Sequence, residues 1–173
     1  MAQFIGRLDL KANSSLWLAW NDAGLLQIVW SKRDLRAGAA LVNTAILPSQ
    51  EEVPEPYRTV LQEYFEGRAV EPARLPVALY GTPFQQKVWR ALRDIPRGTV
   101  CSYGQVAAKI GSSGAARAVG AACGANPVPI AVPCHRVVGS AFALGGYSGG
   151  LKRKIQLLEL EGLRVERGRI GRD

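Results

Sequence analysis

An α/β (α+β) architecture, with a small β-rich N-terminal part and a mostly helical C-terminal part containing a helix-turn-helix, is what this sequence predicts. Three observations carry that reading. Two strand-like runs, residues 15–20 and 25–30, flank a turn. Sharp helix-start signals appear from Thr82 onward. Between Ser102 and Gly124, a short helix, a Gly/Ser turn and a second helix follow one another. The 173 residues suffice for one good core or for a small domain beside a larger one. The boundary is expected near Tyr80, giving domains of residues 1–80 and 81–173.

Asn21-Asp22-Ala23-Gly24 is turn chemistry between the two strand runs, so a hairpin is expected. Residues 48–56 are polar and proline-containing, hence loop. Val60, Leu61, Tyr64 and Phe65 fall at helical spacing, and Gly67 suits the helix end. Residues 70–80, rich in proline, read as a linker. Thr82-Pro83-Phe84-Gln85 combines an N-cap, a proline at the first helical position and a capping-box glutamine. Phe84, Val88, Trp89 and Leu92 then form one apolar face. Ser102-Tyr103-Gly104-Gln105 is a second capping box, opening a helix that runs to Ile110. After the turn at residues 111–114, Ala115 to Gly124 forms a third helix with a small-residue surface. That surface suits either close approach to a narrow groove or tight packing inside the protein. The spacing is that of a helix-turn-helix, with Arg117 in the first turn of the helix that would meet DNA. Residues 130–132 read as a short apolar strand. Residues 151–161 read as a final helix with Leu151, Ile155 and Leu158 on one face. Lys152, Arg153 and Lys154 stand at its start, where the helix dipole disfavours cations. Solvated side chains are the favoured account of them, a docked anion the other.

Composition narrows the function. The chain is 47% apolar and 21% charged, as ordinary globular proteins are. No apolar run approaches the roughly 18 residues of a membrane span. The first residues lack the pattern of a signal peptide, so a cytoplasmic location is expected. Charge is uneven. Residues 1–80 hold 8 Lys and Arg against 9 Asp and Glu, whereas residues 81–173 hold 14 against 5. No carboxylate occurs between Ile95 and Gly150. This imbalance fits a polyanionic partner for the C-terminal half, and equally a basic solvated surface.

Cys101, Cys123 and Cys134 lack zinc-finger spacing and fit free thiols in a reducing compartment; no metal and no cofactor is expected. His135, the only histidine, directly follows Cys134. A thiol must become a thiolate to attack carbon, and a neighbouring imidazole can take its proton, with Arg136 adding positive potential. On a regular strand, however, adjacent side chains point to opposite faces, so the two cooperate only if the chain turns or a water bridges them. A buried structural cysteine beside a surface histidine is the competing account.

Six segments carry a resemblance. They are Ser102-Tyr103, residues 115–120 (AARAVG), residues 126–130 (NPVPI), residues 133–137 (PCHRV), residues 146–150 (GYSGG) and Glu161-Gly162. In this order they resemble the O6-alkylguanine-DNA alkyltransferases (methylated-DNA–protein-cysteine methyltransferases), closely over residues 82–162 and more weakly in the N-terminal third. The resemblance implies a ribonuclease-H-like N-terminal domain and a winged-helix-like C-terminal one. It implies single-turnover transfer of an alkyl group from O6-alkylguanine, and from O4-alkylthymine, in double-stranded DNA to Cys134. His135 would deprotonate the thiol through a water, Glu161 would orient His135, and Asn126 would brace the turn. Tyr103 would give a proton to the leaving guanine and crowd the phosphate. Arg117 would fill the gap left by a base flipped out from the minor groove. Gly104, Ser112, Ala115, Ala116 and Ser140 would contact DNA, while Val137, Tyr147 and Ser148 would line the guanine pocket. The protein would act as a monomer, with cooperative loading along DNA left open. Two departures stand out. Gly124 replaces the basic residue that some relatives carry late in the recognition helix, and the N-terminal zinc ligands of some relatives are missing. The rival readings are a lesion-binding protein without chemistry that recruits other repair factors, against which Cys134 argues, a helix-turn-helix transcription factor, and a thiol hydrolase that turns over without DNA.

Overall fold

The computed structural model describes residues 3–11, 14–39 and 49–171. It divides into two compact units: residues 1–81 with 127–131, and residues 82–126 with 132–173. No helix among the described residues is long and apolar enough to cross a membrane.

The first unit is built on a four-stranded sheet of order β3-β2-β1-β4, from β1 (Phe4–Leu10), β2 (Ser14–Asn21), β3 (Gly24–Val29) and β4 (Ser49–Gln50). β1, β2 and β3 are antiparallel neighbours, and β4 runs parallel to β1. Leu8 faces Leu16 across β1 and β2, and Leu18 faces Ile28 across β2 and β3. All four are buried, so period-two alternation gives the sheet one apolar face. The expected hairpin is present, its turn closed by the Asn21 side chain accepting from the Ala23 N–H at 2.9 Å. Helix α1 (Lys32–Ala39) follows β3, and α2 (Tyr57–Phe65) buries Tyr57, Leu61 and Tyr64. The sequence reading missed β1 and α1. Pro48, where the expected loop begins, lies outside the described residues, and that loop instead opens with β4.

The stretch expected as a linker is pinned in place. Pro72–Arg74 forms a 3-10 turn capped by Glu71. Beyond it, the Leu25 N–H donates to the Pro76 carbonyl at 3.1 Å and the Ala78 N–H to the Leu25 carbonyl at 2.8 Å. Gly24 permits that docking: its φ is +132°, and a Cβ there would lie 2.8 Å from the Pro76 and Val77 backbone. Residues 127–131 also belong to this unit, with the Ile28 N–H donating to the Pro127 carbonyl at 3.0 Å. They correct a second expectation. The strand read at residues 130–132 is a turn, with Ile130 at φ +76°. Prolines at 127, 129 and 133 remove the donors that a strand ladder needs.

The second unit is mostly helical. Both capping boxes form as read, Thr82 with Gln85 at the start of α3 (Pro83–Arg93) and Ser102 with Gln105 at the start of α4 (Tyr103–Lys109). Each cap satisfies N–H groups that a helix start leaves open, worth about 1 kcal/mol. A turn with Gly111 and Gly114 at positive φ leads to α5 (Ala116–Gly124), giving the helix-turn-helix. The Trp89 indole on α3 donates to the Ala122 carbonyl on α5 at 2.8 Å. β5 (Cys101–Ser102) pairs in parallel with β6 (Val137–Val138). α6 (Leu151–Leu160) precedes a hairpin of β7 (Val165–Glu166) and β8 (Arg169–Ile170). Val138, Leu144, Leu158 and Ile170 form a core cluster here. The apolar face expected on α6 shifts: Leu151 is 51% exposed, while Lys154, Leu157 and Leu158 are buried. The fold class is the one read from the sequence.

Candidate active site

Cys134 does not continue a strand. Cys134–Arg136 is a single 3-10 turn after Pro133, in which the Arg136 N–H donates to the Pro133 carbonyl at 3.0 Å. Successive side chains in such a turn do not alternate between faces, which removes the geometric objection to Cys134 and His135 acting together. The turn is braced by Asn126. Its amide Nδ2 donates to the Val132 carbonyl at 2.7 Å and to Cys134 Sγ at 3.1 Å. The sulfur is therefore held by a donor that stabilises negative charge, in a residue only 4% exposed.

Behind the thiol lies a buried polar cluster. His135 Nε2 sits 2.9 Å from Glu161 Oε1. Arg136 donates to both Glu161 oxygens through Nε, at 3.2 and 3.0 Å, and through a terminal nitrogen at 2.9 Å. Its other terminal nitrogen donates to the Ile95 carbonyl at 2.6 Å. The Gly98 N–H adds a fourth donor to Glu161, at 3.3 Å. Burial works against the Glu161 carboxylate, yet the hydrogen bond from His135 and the Arg136 guanidinium outweigh it and hold the group well below the usual carboxylate range. Burial also disfavours the His135 imidazolium more than Glu161 favours it, so His135 is held below its ordinary value. A neutral ring facing an ionised carboxylate must carry its proton on Nε2, which leaves Nδ1 as the basic nitrogen.

Two charges differ from the sequence reading. Arg136 was expected to lend positive potential to the thiol; it is instead fully buried and committed to Glu161 and Ile95. Lys154, read as solvated, is 0% exposed. Its ammonium donates to the carbonyls of Val137 at 2.6 Å, Gly146 at 3.3 Å and Leu144. Burial pulls the Lys154 ammonium down to about 8. The Cys134 thiol is itself pushed up by burial, opposed by the Asn126 hydrogen bond and the Lys154 charge.

The sulfur opens on a cavity of about 300 Å³, walled by Tyr103, Gly120, Cys123, Gly124, Gly146, Tyr147 and Ser148 together with Cys134. Its volume is at the lower end for small-molecule sites. Among the described residues nothing hydrogen-bonds the Tyr147 hydroxyl, a buried polar atom suited to a bound polar ligand. Burial raises the Tyr103 hydroxyl above its ordinary value, so it is a proton donor at neutral pH. Of the residues expected at the pocket, Tyr103, Cys134, Tyr147 and Ser148 meet there. Val137 does not: it is buried in β6, off the cavity wall, and only its carbonyl reaches Lys154. Cys123, Gly120, Gly124 and Gly146 were missed. Cys123 sits four residues from Val119 on the buried side of α5, and nothing in the sequence separates a packed cysteine from one lining a site.

Arg117 projects exposed from the first turn of α5, a helix whose N-cap residue Ala115 offers no side-chain cap. Its first N–H groups are thus left to an outside acceptor such as a phosphate. Gly104 and Ser140 are exposed, and Ser112, Ala115 and Ala116 partly so. Among the described residues no group of three His, Cys, Asp or Glu side chains is placed to hold a metal ion.

Residues 83–163 match the family model described as 6-O-methylguanine DNA methyltransferase, DNA binding domain. A methylated-DNA–protein-cysteine methyltransferase of Salmonella typhimurium is 57% identical over 102 residues, covering 59% of this chain and 60% of that protein's length. The crystal structure of a Mycobacterium tuberculosis O6-methylguanine methyltransferase superposes with a TM-score of 0.77 at 37% identity, covering 92% of each chain. A second M. tuberculosis structure, in complex with DNA, matches with the same TM-score and identity over 91% of this chain and 92% of that one.

Proposed function

The chain belongs to the O6-methylguanine DNA methyltransferase family, and on that premise we propose that it repairs DNA by moving the alkyl group of O6-alkylguanine irreversibly onto Cys134. One observation carries this reading: a thiol at a cavity wall, next to a neutral histidine whose far nitrogen is tied to a buried carboxylate. His135 Nδ1 takes the Cys134 proton, directly or through a bridging water, and Glu161 stabilises the imidazolium that forms. The thiolate then attacks the alkyl carbon. The S–C bond forms as the C–O6 bond breaks, and the electron pair leaves with guanine, which accepts a proton from the Tyr103 hydroxyl. The product is a thioether, whose sulfur is a poor leaving group, so each molecule acts once. O4-alkylthymine, which presents an alkyl carbon on an equivalent exocyclic oxygen, is a second substrate.

Incubation with excess alkylated duplex tests this. One lesion should be repaired per protein molecule, with the mass of one alkyl group on the peptide containing Cys134. Many turnovers per molecule, or ester hydrolysis without DNA, would favour the thiol hydrolase. Tight binding of undamaged DNA of one sequence, with no transfer, would favour a transcription factor.

A base inside a duplex must leave the stack to reach an enclosed cavity, at a cost of a few kcal/mol. Arg117 is the exposed side chain suited to fill the gap. Arg117→Ala should therefore slow single-turnover repair of duplex DNA by about tenfold or more, the effect of about 1.4 kcal/mol on the flipped state. Reaction with the free O6-alkylguanine base, which needs no extrusion, should be nearly unchanged. A phosphate contact alone would instead weaken binding, and its defect would vanish at saturating protein.

A further inference from the structure

Lys154 is an ammonium in a costly place. It stands in the first turn of α6, where the helix dipole disfavours a cation, and it is fully buried. Among the described residues no carboxylate pairs with it. The carbonyls of Val137, Leu144 and Gly146 use its three N–H bonds but carry no charge to balance it. The groups facing the thiol are few. Glu161 and Arg136 neutralise each other. Tyr103 and Tyr147 are both held protonated by burial. His135 is neutral, and the Lys154 charge helps to keep it so. The groups left to become anionic are Cys123 and Cys134, and both interact with Lys154. Burial and the neighbouring Cys134 push the Cys123 thiol up to about 12, whereas Cys134 also has the Asn126 donor.

We propose that Lys154 is a positioning residue of this site: its ammonium is the counter-ion of the Cys134 thiolate, and its grip on Leu144 and Gly146 holds the cavity wall carrying Tyr147 and Ser148. This rests on the reading of Cys134 as nucleophile. The buried cation is balanced when the thiol gives up its proton, so the state that reacts is the one in which the site's charges are matched. The three-carbonyl grip needs all three ammonium protons, which ties the shape of the wall to the same charge.

The test is a titration of the thiolate absorbance near 240 nm, taken as the difference between the unaltered chain and Cys134→Ser. Burial pushes the Cys134 thiol up, and the Lys154 charge opposes that rise. Lys154→Met keeps the apolar stem and removes the charge. It should raise the Cys134 midpoint by about one unit or more, slow transfer at neutral pH about tenfold and weaken binding of the free O6-alkylguanine base. Lys154→Gln, whose amide can still donate to the wall carbonyls, should show the same raised midpoint with a smaller loss of guanine-base affinity. A midpoint that neither variant moves overturns the proposal, because a merely structural lysine would change stability and leave the titration alone. An alkyl group found on another residue in Cys134→Ser would instead overturn the reading of the site.

Discussion

Cys134→Ser is expected to abolish alkyl transfer, a loss on the order of 10⁴-fold or more, while duplex binding survives. Serine fits the same turn, and its oxygen can accept from Asn126 as the sulfur does. What it lacks is acidity. The cluster of His135, Glu161 and Lys154 is set to stabilise an anion derived from a thiol, and a hydroxyl is too weak an acid for an imidazole to ionise here. The groups proposed to face DNA, Arg117 among them, are untouched, so a gel shift with alkylated duplex should be normal. Peptide mass spectrometry after the reaction is the decisive measurement. An alkyl group on Cys123, which lines the same cavity, or on Cys101 would show that the nucleophile was misassigned.

Glu161→Gln should reduce both transfer and stability. In the native protein the carboxylate receives His135, Arg136 and the Gly98 N–H, all within the interior. The amide leaves Arg136 as a buried charge without its counter-ion, a loss of about 3–5 kcal/mol. It also removes the negative charge that favours the imidazolium, so transfer should fall by about 10²-fold or more. The pH dependence separates this carboxylate from others. Its folded-state value is depressed, so the stability it contributes is fully present above the unfolded carboxyl value of roughly 4.3 and is lost as pH falls through the folded one. Denaturant unfolding followed downward from pH 6 should show a steep acid loss in the native chain and a shallower one in the variant. Parallel acid limbs would mean that Glu161 is not the group that titrates.

What the sequence disclosed follows from the range of the interactions involved. The capping boxes at Thr82 and Ser102 were legible because a cap is made by residues three apart. The hairpin at Asn21 was legible for the same reason. β1 was missed because Gly6 leaves its buried face without a large apolar side chain next to Leu8, which pairs with a buried Leu16. The Val165–Ile170 hairpin had a usable signal in Arg167-Gly168, both at positive φ, as its tight turn requires. Cys134 and His135 were legible as an adjacent thiol and imidazole, Asn126 and Glu161 only through a family resemblance, and the four come together in the fold. The burial of Lys154 and Arg136 was not legible. Their isolation from water depends on carbonyls and a carboxylate supplied by segments 8 to 41 residues away, and a charged side chain is the least expected core residue. The strand expected at residues 130–132 failed because an apolar run specifies burial more reliably than it specifies conformation.

The turn at residues 127–131 bears on how such a protein can change over evolutionary time. It is a short excursion of the later part of the chain that completes the first compact unit, with Val128, Ile130 and Ala131 fully buried, and it ends three residues before Cys134. The first unit is therefore not an interchangeable accessory. A chain that discarded residues 1–81 would leave these three side chains without the interior they were selected to fill. An unrelated domain could replace the unit only if it offered a receptor for the same loop, including an N–H donor to the Pro127 carbonyl where Ile28 now provides one. Inheritance should accordingly act on the two units together, so that exchange by recombination is confined to relatives sharing that loop, and drift in the sheet is constrained by a segment encoded almost a hundred residues downstream.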